Sequence, residues 1–187
     1  MKTRVFTLLL TFSSIAFGYA QEKLVIDVKK SEVKWNCDYT FYFNGHNGLI
    51  NFKEGYFTKS NEVIIGGEFI IDMNSITCLD IDKQDSNESL VNHLKDPDFF
   101  NVEQYETAAL KINSVKYHDK KRMQIFADLT IKGITNPISF QAEVDYKEKT
   151  MTTKFKIDRT LWGVNYNSNM KDGAISEAIG FEVILSL

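Results

Sequence analysis

The chain has 187 residues, 43% of them hydrophobic, with 22 basic and 25 acidic side chains and a formal net charge of −3. This mildly acidic, well-mixed balance excludes the basic stripe typical of nucleic-acid-binding proteins, and it offers no polybasic segment for an anionic membrane surface. A chain of ~150 residues buries about 70% of its unfolded surface in one core, and no linker, repeat or low-complexity segment interrupts this one. We therefore predict a single domain.

The first 20 residues have the pattern of a secretory signal peptide. Lys2 and Arg4 give a positive start, an apolar run extends from Val5 to Ala16, and the small residues Gly18 and Ala20 mark a cleavage site. The run is too short for a membrane span, which needs about 20 apolar residues, and no later segment is apolar enough to form one. We predict cleavage after residue 20, with a retained N-terminal anchor as the alternative.

Cleavage would leave an exported domain of residues 21–187, periplasmic or secreted, with 20 basic and 25 acidic residues and a net charge of −5. Two cysteines, Cys37 and Cys78, could pair in an oxidising compartment. Cys37 lies on an apolar strand face, so a buried free thiol is the alternative. The chain has no CxxC motif and no Cys/His cluster along the sequence, so no structural zinc site is predicted.

Most of the chain after residue 21 alternates between apolar and polar side chains with a period of two, the pattern of strands that bury one face. Four strands in the second half show it most clearly, with apolar faces carried by Met123 to Ile131, Ile138 to Tyr146, Met151 to Ile157 and Ile179 to Leu187. Further strands are predicted over 33–43, from 50 onward, over 63–73 and over 107–117. Such strands must bury their apolar faces against one another, in a sandwich or a closed barrel.

Three local signals interrupt these strands. Asn47-Gly48 could form a turn, Gly66-Gly67 indicates a bulge or a sharp bend, and the alternation changes phase near Ser114. About eight antiparallel strands result. A barrel of that size has an interior just wide enough to be filled by side chains or to hold one small ligand, and the pattern alone leaves both open.

One stretch in the middle of the chain is helical rather than extended. Leu90 and Leu94 recur at helical spacing, and Asp85 with Glu88 could form a capping box at the start of the helix. Pro97 should end the helix, because the residue before a proline avoids the α conformation. The sequence therefore predicts one helical segment inserted between strands.

Five segments, in this order and at this spacing, resemble the YceI-like family of exported, lipocalin-like proteins. The first comprises residues 45–48 and 53–55, and the second comprises residues 66–69 and 72–76. The other three are residues 93–105, 128–138 and 158–164. The most specific are HLxxxDFF, which begins at His93, and LTIKGITxPI, which begins at Leu129. The family often has proline after the tyrosine of the helical segment, where this chain has Glu106, and the stretch from Tyr39 to Phe43 is unusually aromatic.

The resemblance implies an all-β, eight-stranded antiparallel barrel with one inserted helical segment, whose interior binds long apolar chains, notably polyisoprenoid lipids. Ligand contacts are predicted for residues of the apolar faces and for one Trp–Arg pair: Phe41, Phe43, Phe69, Ile71, Phe140, Val144, Phe155, Phe181, Trp162 and Arg159. For each of them the alternative is packing within the core, with a salt bridge in the case of Arg159.

Two functions from different classes remain. The first is a carrier or sequestering protein for an apolar lipid, with no other cofactor. The second is a packed barrel that acts by protein contact, as an envelope or stress accessory protein without a ligand. Either is compatible with a homodimer.

Catalysis is the weakest of the interpretations. His46 could pair with Asp38 or Glu54 for acid–base chemistry, but no nucleophile or metal partner accompanies it in the sequence. His118 lies in a polar loop, and His93 lies on the predicted helix. We therefore predict no enzyme activity, no catalytic residues and no metal site.

Overall fold

The structure, a computed structural model, describes residues 21–40, 45–61, 63–166 and 175–187. The predicted signal peptide, Phe41 and Phe43 lie outside these described residues. The strands are β1 (Glu22–Val25), β2 (Glu32–Tyr39), β3 (Gly45–Ser60), β4 (Val63–Asp72), β5 (Thr107–Tyr117), β6 (Arg122–Ile131), β7 (Ile134–Asp145), β8 (Thr150–Asp158) and β9 (Ile175–Ser186). The helix is α1 (Gln84–Lys95), and two 3-10 turns cover Met73–Ser75 and Arg159–Trp162.

The strands form one antiparallel sheet that closes into a barrel. Each strand from β2 to β9 pairs with the next along the chain, and β9 pairs back with β2, which completes a ring of eight. The short β1 pairs with the second half of β3, with Glu22 opposite Lys59 and Val25 opposite Tyr56. The predicted eight-stranded antiparallel barrel with one inserted helix is confirmed.

The period-two alternation sets the inner and outer faces of the barrel. In β6, all five apolar residues of the predicted face, from Met123 to Ile131, are buried, whereas the intervening Phe126 is 42% exposed. This is the result expected when successive side chains of a strand point to opposite faces. The barrel interior is therefore the core of the protein.

The predicted turn at Asn47-Gly48 is wrong, because both residues lie inside β3. Asn47 is opposite Asn36 and Gly48 is opposite Trp35 in the pairing with β2. A glycine stands there for a different reason: a Cβ on Gly48 would overlap the carbonyl oxygen of Thr77, in the loop that follows the first 3-10 turn. Gly48 thus permits a close approach of two backbone segments.

The two other predicted irregularities are confirmed as register shifts. The β3–β4 pairing skips one residue between Gly66 and Ile64, and the β5–β6 pairing skips one between Ile112 and Ser114. An extra residue on one strand bends that strand and increases its twist. Such bends help a sheet to close on itself.

Helix α1 lies in the connection between β4 and β5, at one end of the barrel. Leu94 is buried, and Leu90 and Val91 pack against the core. The helix ends before Pro97 as predicted, with the Asp96 N–H bonded to the carbonyls of Asn92 and His93. Within the described ranges, no helix is both long and apolar enough to cross a membrane.

The predicted capping box at the start of α1 is wrong. The N-cap residue is Lys83, which makes no side-chain cap. Because the helix begins two residues earlier than a cap at Asp85 requires, Glu88 lies beyond the first turn. Its carboxylate instead accepts a hydrogen bond of 2.9 Å from the side chain of Gln84.

Candidate functional site

An apolar cavity occupies the interior of the barrel. Its volume is about 150 Å³, and an apolar cavity of roughly that size can stay dry and take up small apolar molecules. Among the described residues that line it there is no charged side chain, and Thr153 supplies the only hydroxyl group. A space of this composition suits an apolar guest.

The cavity extends along the barrel from the helical end toward the opposite end. Leu94 of α1 and the following Phe99 and Phe100 line it at the helical end. Met151, at the start of β8, and Leu185, near the end of β9, line it at the other. The space is therefore elongated along the strands.

Five of the predicted ligand-binding residues line this cavity: Phe69, Ile71, Phe140, Phe155 and Phe181. The last three form an aromatic row across β7, β8 and β9. Phe140 stacks on Phe155 with ring centroids 4.6 Å apart, and Phe155 lies 5.4 Å from Phe181. Phe155 and Phe181 are only partly buried although they face inward, so their rings are available to contact a guest.

Three other predicted residues are described but do not line the cavity. Val144 and Trp162 are each 1% exposed, and the Trp162 indole N–H donates a hydrogen bond of 2.9 Å to the carbonyl of Leu129. Arg159 is also buried, at 4% exposed. Their contacts in this structure are those of core residues, and their role in ligand binding stays a prediction, as it does for Phe41 and Phe43.

Arg159 donates hydrogen bonds to backbone carbonyls, and among the residues that the structure describes it makes none of the ion pairs that the alternative interpretation expected. Its Nε donates to Ser176 at 3.1 Å, and Nη2 donates to Tyr166 at 3.2 Å and to Ile175 at 3.5 Å. Nη1 donates to the carbonyl of Val164. One guanidinium thus ties the end of β8 to the start of β9 and to the segment that follows the second 3-10 turn.

A polar cluster lies at the helical end of the barrel and joins β2, β3 and the loop after the first 3-10 turn. His46 Nδ1 is 2.8 Å from Asp80 Oδ2, and His46 Nε2 is 2.9 Å from the hydroxyl of Tyr39. Asp80 Oδ1 accepts hydrogen bonds from the Asn47 N–H at 2.8 Å and from the Cys78 thiol at 3.4 Å. The acidic partner of His46 is therefore Asp80, not Asp38 or Glu54.

Burial and hydrogen bonding act in opposite directions on the acidity of this cluster. Burial raises the pKa of the Tyr39 hydroxyl, and the nearby Asp80 carboxylate adds to that rise. Burial also works to raise the pKa of Asp80. Hydrogen bonds from the Asn47 N–H and from His46 outweigh it, so that this pKa is lowered from its usual value. Asp80 is thus held as a carboxylate.

The register of β2 and β3 places this cluster beside the cavity. His46 is directly opposite Cys37, and opposed residues of an antiparallel pair project from the same face of the sheet. Cys37 lines the cavity. The loop that carries Asp80 runs along β3, with the Thr77 N–H bonded to Leu49 at 2.9 Å, so the cluster lies at the rim of the cavity.

Both cysteines are free thiols, and Cys37 should react unusually slowly. Burial raises the pKa of Cys37 to about 11; the positive charge of Arg159 opposes this rise, and the negative charge of Asp38 adds to it. Because the thiolate is the nucleophile, roughly one Cys37 in a thousand is reactive at pH 8. In a Cys78→Ser background we expect alkylation by iodoacetamide at pH 8 to be about 200-fold slower than for free cysteine, and to accelerate about tenfold per pH unit toward pH 11.

Mass spectrometry of samples quenched over time measures this rate. Unfolded protein in denaturant is the control and should react at the rate of free cysteine. A rate for the folded protein that levels off near pH 9 would contradict the predicted burial of the thiol.

The closed antiparallel barrel, with its inserted helix and apolar interior, places the protein among the lipocalin-like barrels. The family model of the YceI-like domain matches residues 24–187, so the chain belongs to the YceI-like family. The resemblance seen in the sequence is confirmed.

Curated relatives and solved structures agree with this assignment. UPF0312 protein SA2479 of Staphylococcus aureus (strain N315) is 30% identical over an alignment of 98 residues that covers 48% of this chain and 54% of that protein. The chain thus spans about half the length of the curated relatives it matches. Burkholderia cenocepacia BcnA aligns with a TM-score of 0.71 at 16% identity, over 86% of this chain and 98% of that chain.

A Campylobacter jejuni YCEI protein aligns with a TM-score of 0.51 at 17% identity, over 96% of this chain and 97% of that chain. At these identities the structural likeness establishes the shared fold. Function has to be argued from the cavity itself.

Proposed function

We propose that the protein is an exported binding protein that holds a long-chain apolar lipid, of the polyisoprenoid type, inside its barrel and catalyses no reaction. The observation that supports this most directly is the elongated cavity, whose described lining carries no charged group. Burial of hydrocarbon from water contributes about 0.8 kcal/mol per methylene group. An apolar chain would therefore gain more from this cavity than a polar molecule of the same size.

The extension of the cavity along the strands suits an extended chain. Its lining runs from Phe100 at the helical end to Leu185 near the other end. The aromatic row of Phe140, Phe155 and Phe181 lies along one wall. Flat apolar rings on this wall offer contact area to the branched, unsaturated chain of an isoprenoid.

Mass spectrometry of the co-purified lipid tests this proposal. The chain would be produced with its N-terminal segment, purified from the exported fraction, and weighed under native and denaturing conditions, with organic extraction of any guest. We expect a mature chain of residues 21–187, and either a bound lipid or uptake of added polyprenol. A chain that carries no lipid and takes up no polyprenol would favour the ligand-free accessory protein instead.

Filling the cavity should abolish lipid uptake. Val183 lines the cavity, whereas the next residue along β9, Ile184, is 44% exposed on the outer face. We expect Val183→Trp to reduce polyprenol uptake at least tenfold because the indole occupies the space of the guest. Ile184→Trp, the same substitution one residue further, should leave uptake unchanged.

Uptake is measured with a fluorescent polyprenol analogue, and circular dichroism checks that both variants are folded. Equal uptake by the two variants would place the lipid outside the barrel. It would thereby contradict the proposed site while leaving the fold intact.

A further inference from the structure

We propose that His46, Cys78 and Asp80 form a binding site for a divalent transition-metal ion, with Zn²⁺ as the preferred ion. Each residue offers one ligand atom, and these atoms all lie within 4.8 Å of one another. In a tetrahedral zinc site with bonds of 2.0–2.3 Å, the ligand atoms are roughly 3.3–3.7 Å apart. Small side-chain rotations would bring nitrogen, sulfur and oxygen to those separations.

The partners that orient metal ligands are already in place around this cluster. A histidine that ligates through one ring nitrogen usually donates a hydrogen bond from the other, and ligating carboxylates are themselves hydrogen-bonded. With His46 Nδ1 as the ligand, the Nε2–H group can donate to the Tyr39 hydroxyl, 2.9 Å away. Asp80 Oδ1 accepts from the Asn47 N–H at 2.8 Å, which leaves Oδ2 for the ion.

The donor set indicates which ion binds. A thiolate is a soft ligand that calcium and magnesium avoid, since both take oxygen ligands. One sulfur, one imidazole nitrogen and one carboxylate oxygen match the ligands of zinc and leave a fourth position for water or an added ligand. On binding, the Cys78 thiol releases its proton to solvent, while the imidazole proton moves from Nδ1 to Nε2.

The cluster is both reachable and held in place. The side chains of His46 and Asp80 are 27% and 25% exposed, so an ion can enter from solvent. Cys78 is only 7% exposed, so its sulfur is fixed beside them. A bound ion would connect β3 to the loop at the rim of the cavity.

A second group, His93 with Asp96 and Asp98, serves as the comparison. Its atoms also lie within 4.8 Å of one another, but both of its carboxylates are exposed and it contains no thiol. We expect zinc to prefer the first cluster for that reason.

The prediction from the sequence excluded a metal site because His46 and Cys78 are far apart in the chain and match no short ligand motif.

Calorimetric titration of the tag-free, chelator-treated protein with Zn²⁺ tests the proposal. We expect one ion per chain with a dissociation constant of about 1 µM or tighter. Co²⁺ in place of Zn²⁺ should give the near-ultraviolet absorption of a cobalt–thiolate bond. Cys78→Ser and Asp80→Asn should each weaken Zn²⁺ binding at least tenfold, and Cys78→Ser should remove the absorption band.

Cys37→Ser is the matched control, because it removes the other thiol and should leave both signals unchanged. Circular dichroism and thermal melting of the metal-free variants check folding, and Zn²⁺ should raise the melting temperature of the wild type but not that of Cys78→Ser. Unchanged affinity in Cys78→Ser, or loss of binding only in Asp98→Asn, would overturn the proposal. So would the lack of any binding tighter than about 1 mM.

Discussion

Arg159→Met is expected to lower the free energy of unfolding by at least about 3 kcal/mol. Methionine retains much of the apolar stem but has no N–H group, so four backbone carbonyls each lose one hydrogen bond. Each buried carbonyl left unsatisfied costs about 1–3 kcal/mol. Removal of a buried charge offsets part of this loss. Water can reach the outer carbonyls, so we expect the total cost to lie near the low end of the sum over the four carbonyls.

Arg159→Lys separates the charge from the geometry of the guanidinium. Lysine keeps the positive charge, but its single ammonium group cannot reach all the carbonyls that the three nitrogens of the planar guanidinium contact. We expect a loss intermediate between the wild type and Arg159→Met. Urea denaturation followed by tryptophan fluorescence, from the buried Trp35 and Trp162 together, measures both. A loss below about 1 kcal/mol for Arg159→Met would show that these hydrogen bonds do not hold the β8–β9 connection.

The faces of the strands could be predicted from the sequence because the relevant signal is local. In β6 the alternation from Met123 to Ile131 needs no knowledge of the rest of the chain, and every residue of that face is buried. The start of α1 could not be predicted from such a local signal. Asn87 donates hydrogen bonds to the carbonyls of Cys78 and Ile81 at 3.0 and 2.9 Å, and these contacts tie the first turn to the preceding loop.

The site was harder to predict because it depends on contacts between distant residues. Alternation indicates that Phe155 and Val144 both point inward, but it cannot indicate how far the opposite wall is. In the structure Val144 is fully enclosed, whereas Phe155 borders the cavity. The pairing of His46 with Asp80 joins residues 34 positions apart, and no short pattern reports such a contact.

Gly48→Ala is expected to lower the free energy of unfolding by about 2–4 kcal/mol. The new methyl group would overlap the Thr77 carbonyl oxygen and lie 2.7 Å from its carbon and 2.8 Å from Trp35 Cζ2. Neither neighbour can move freely: the Thr77 N–H is bonded to Leu49, and its carbonyl accepts from the Trp35 indole at 3.1 Å. Relief of the clash therefore requires the loop to separate from β3.

Gly66→Ala is the matched control on the neighbouring strand. A Cβ there would meet nothing closer than the Ile112 carbonyl oxygen at 3.4 Å, and alanine within a strand is more favourable than glycine by about 0.5–1 kcal/mol. We expect Gly66→Ala to be neutral or slightly stabilising. Equal effects of the two substitutions would show that strand propensity, and not the loop, governs position 48.

Amide hydrogen exchange distinguishes the local from the global consequence of Gly48→Ala. The amides of Thr77 and Leu79 are bonded to Leu49 and Asn47 of β3 at 2.9 and 2.8 Å. If the loop alone separates, these two amides should exchange much faster while the amides of β6 stay protected. Because the same loop carries Cys78 and Asp80, its release would also separate them from His46, and Zn²⁺ binding should weaken in Gly48→Ala but not in Gly66→Ala.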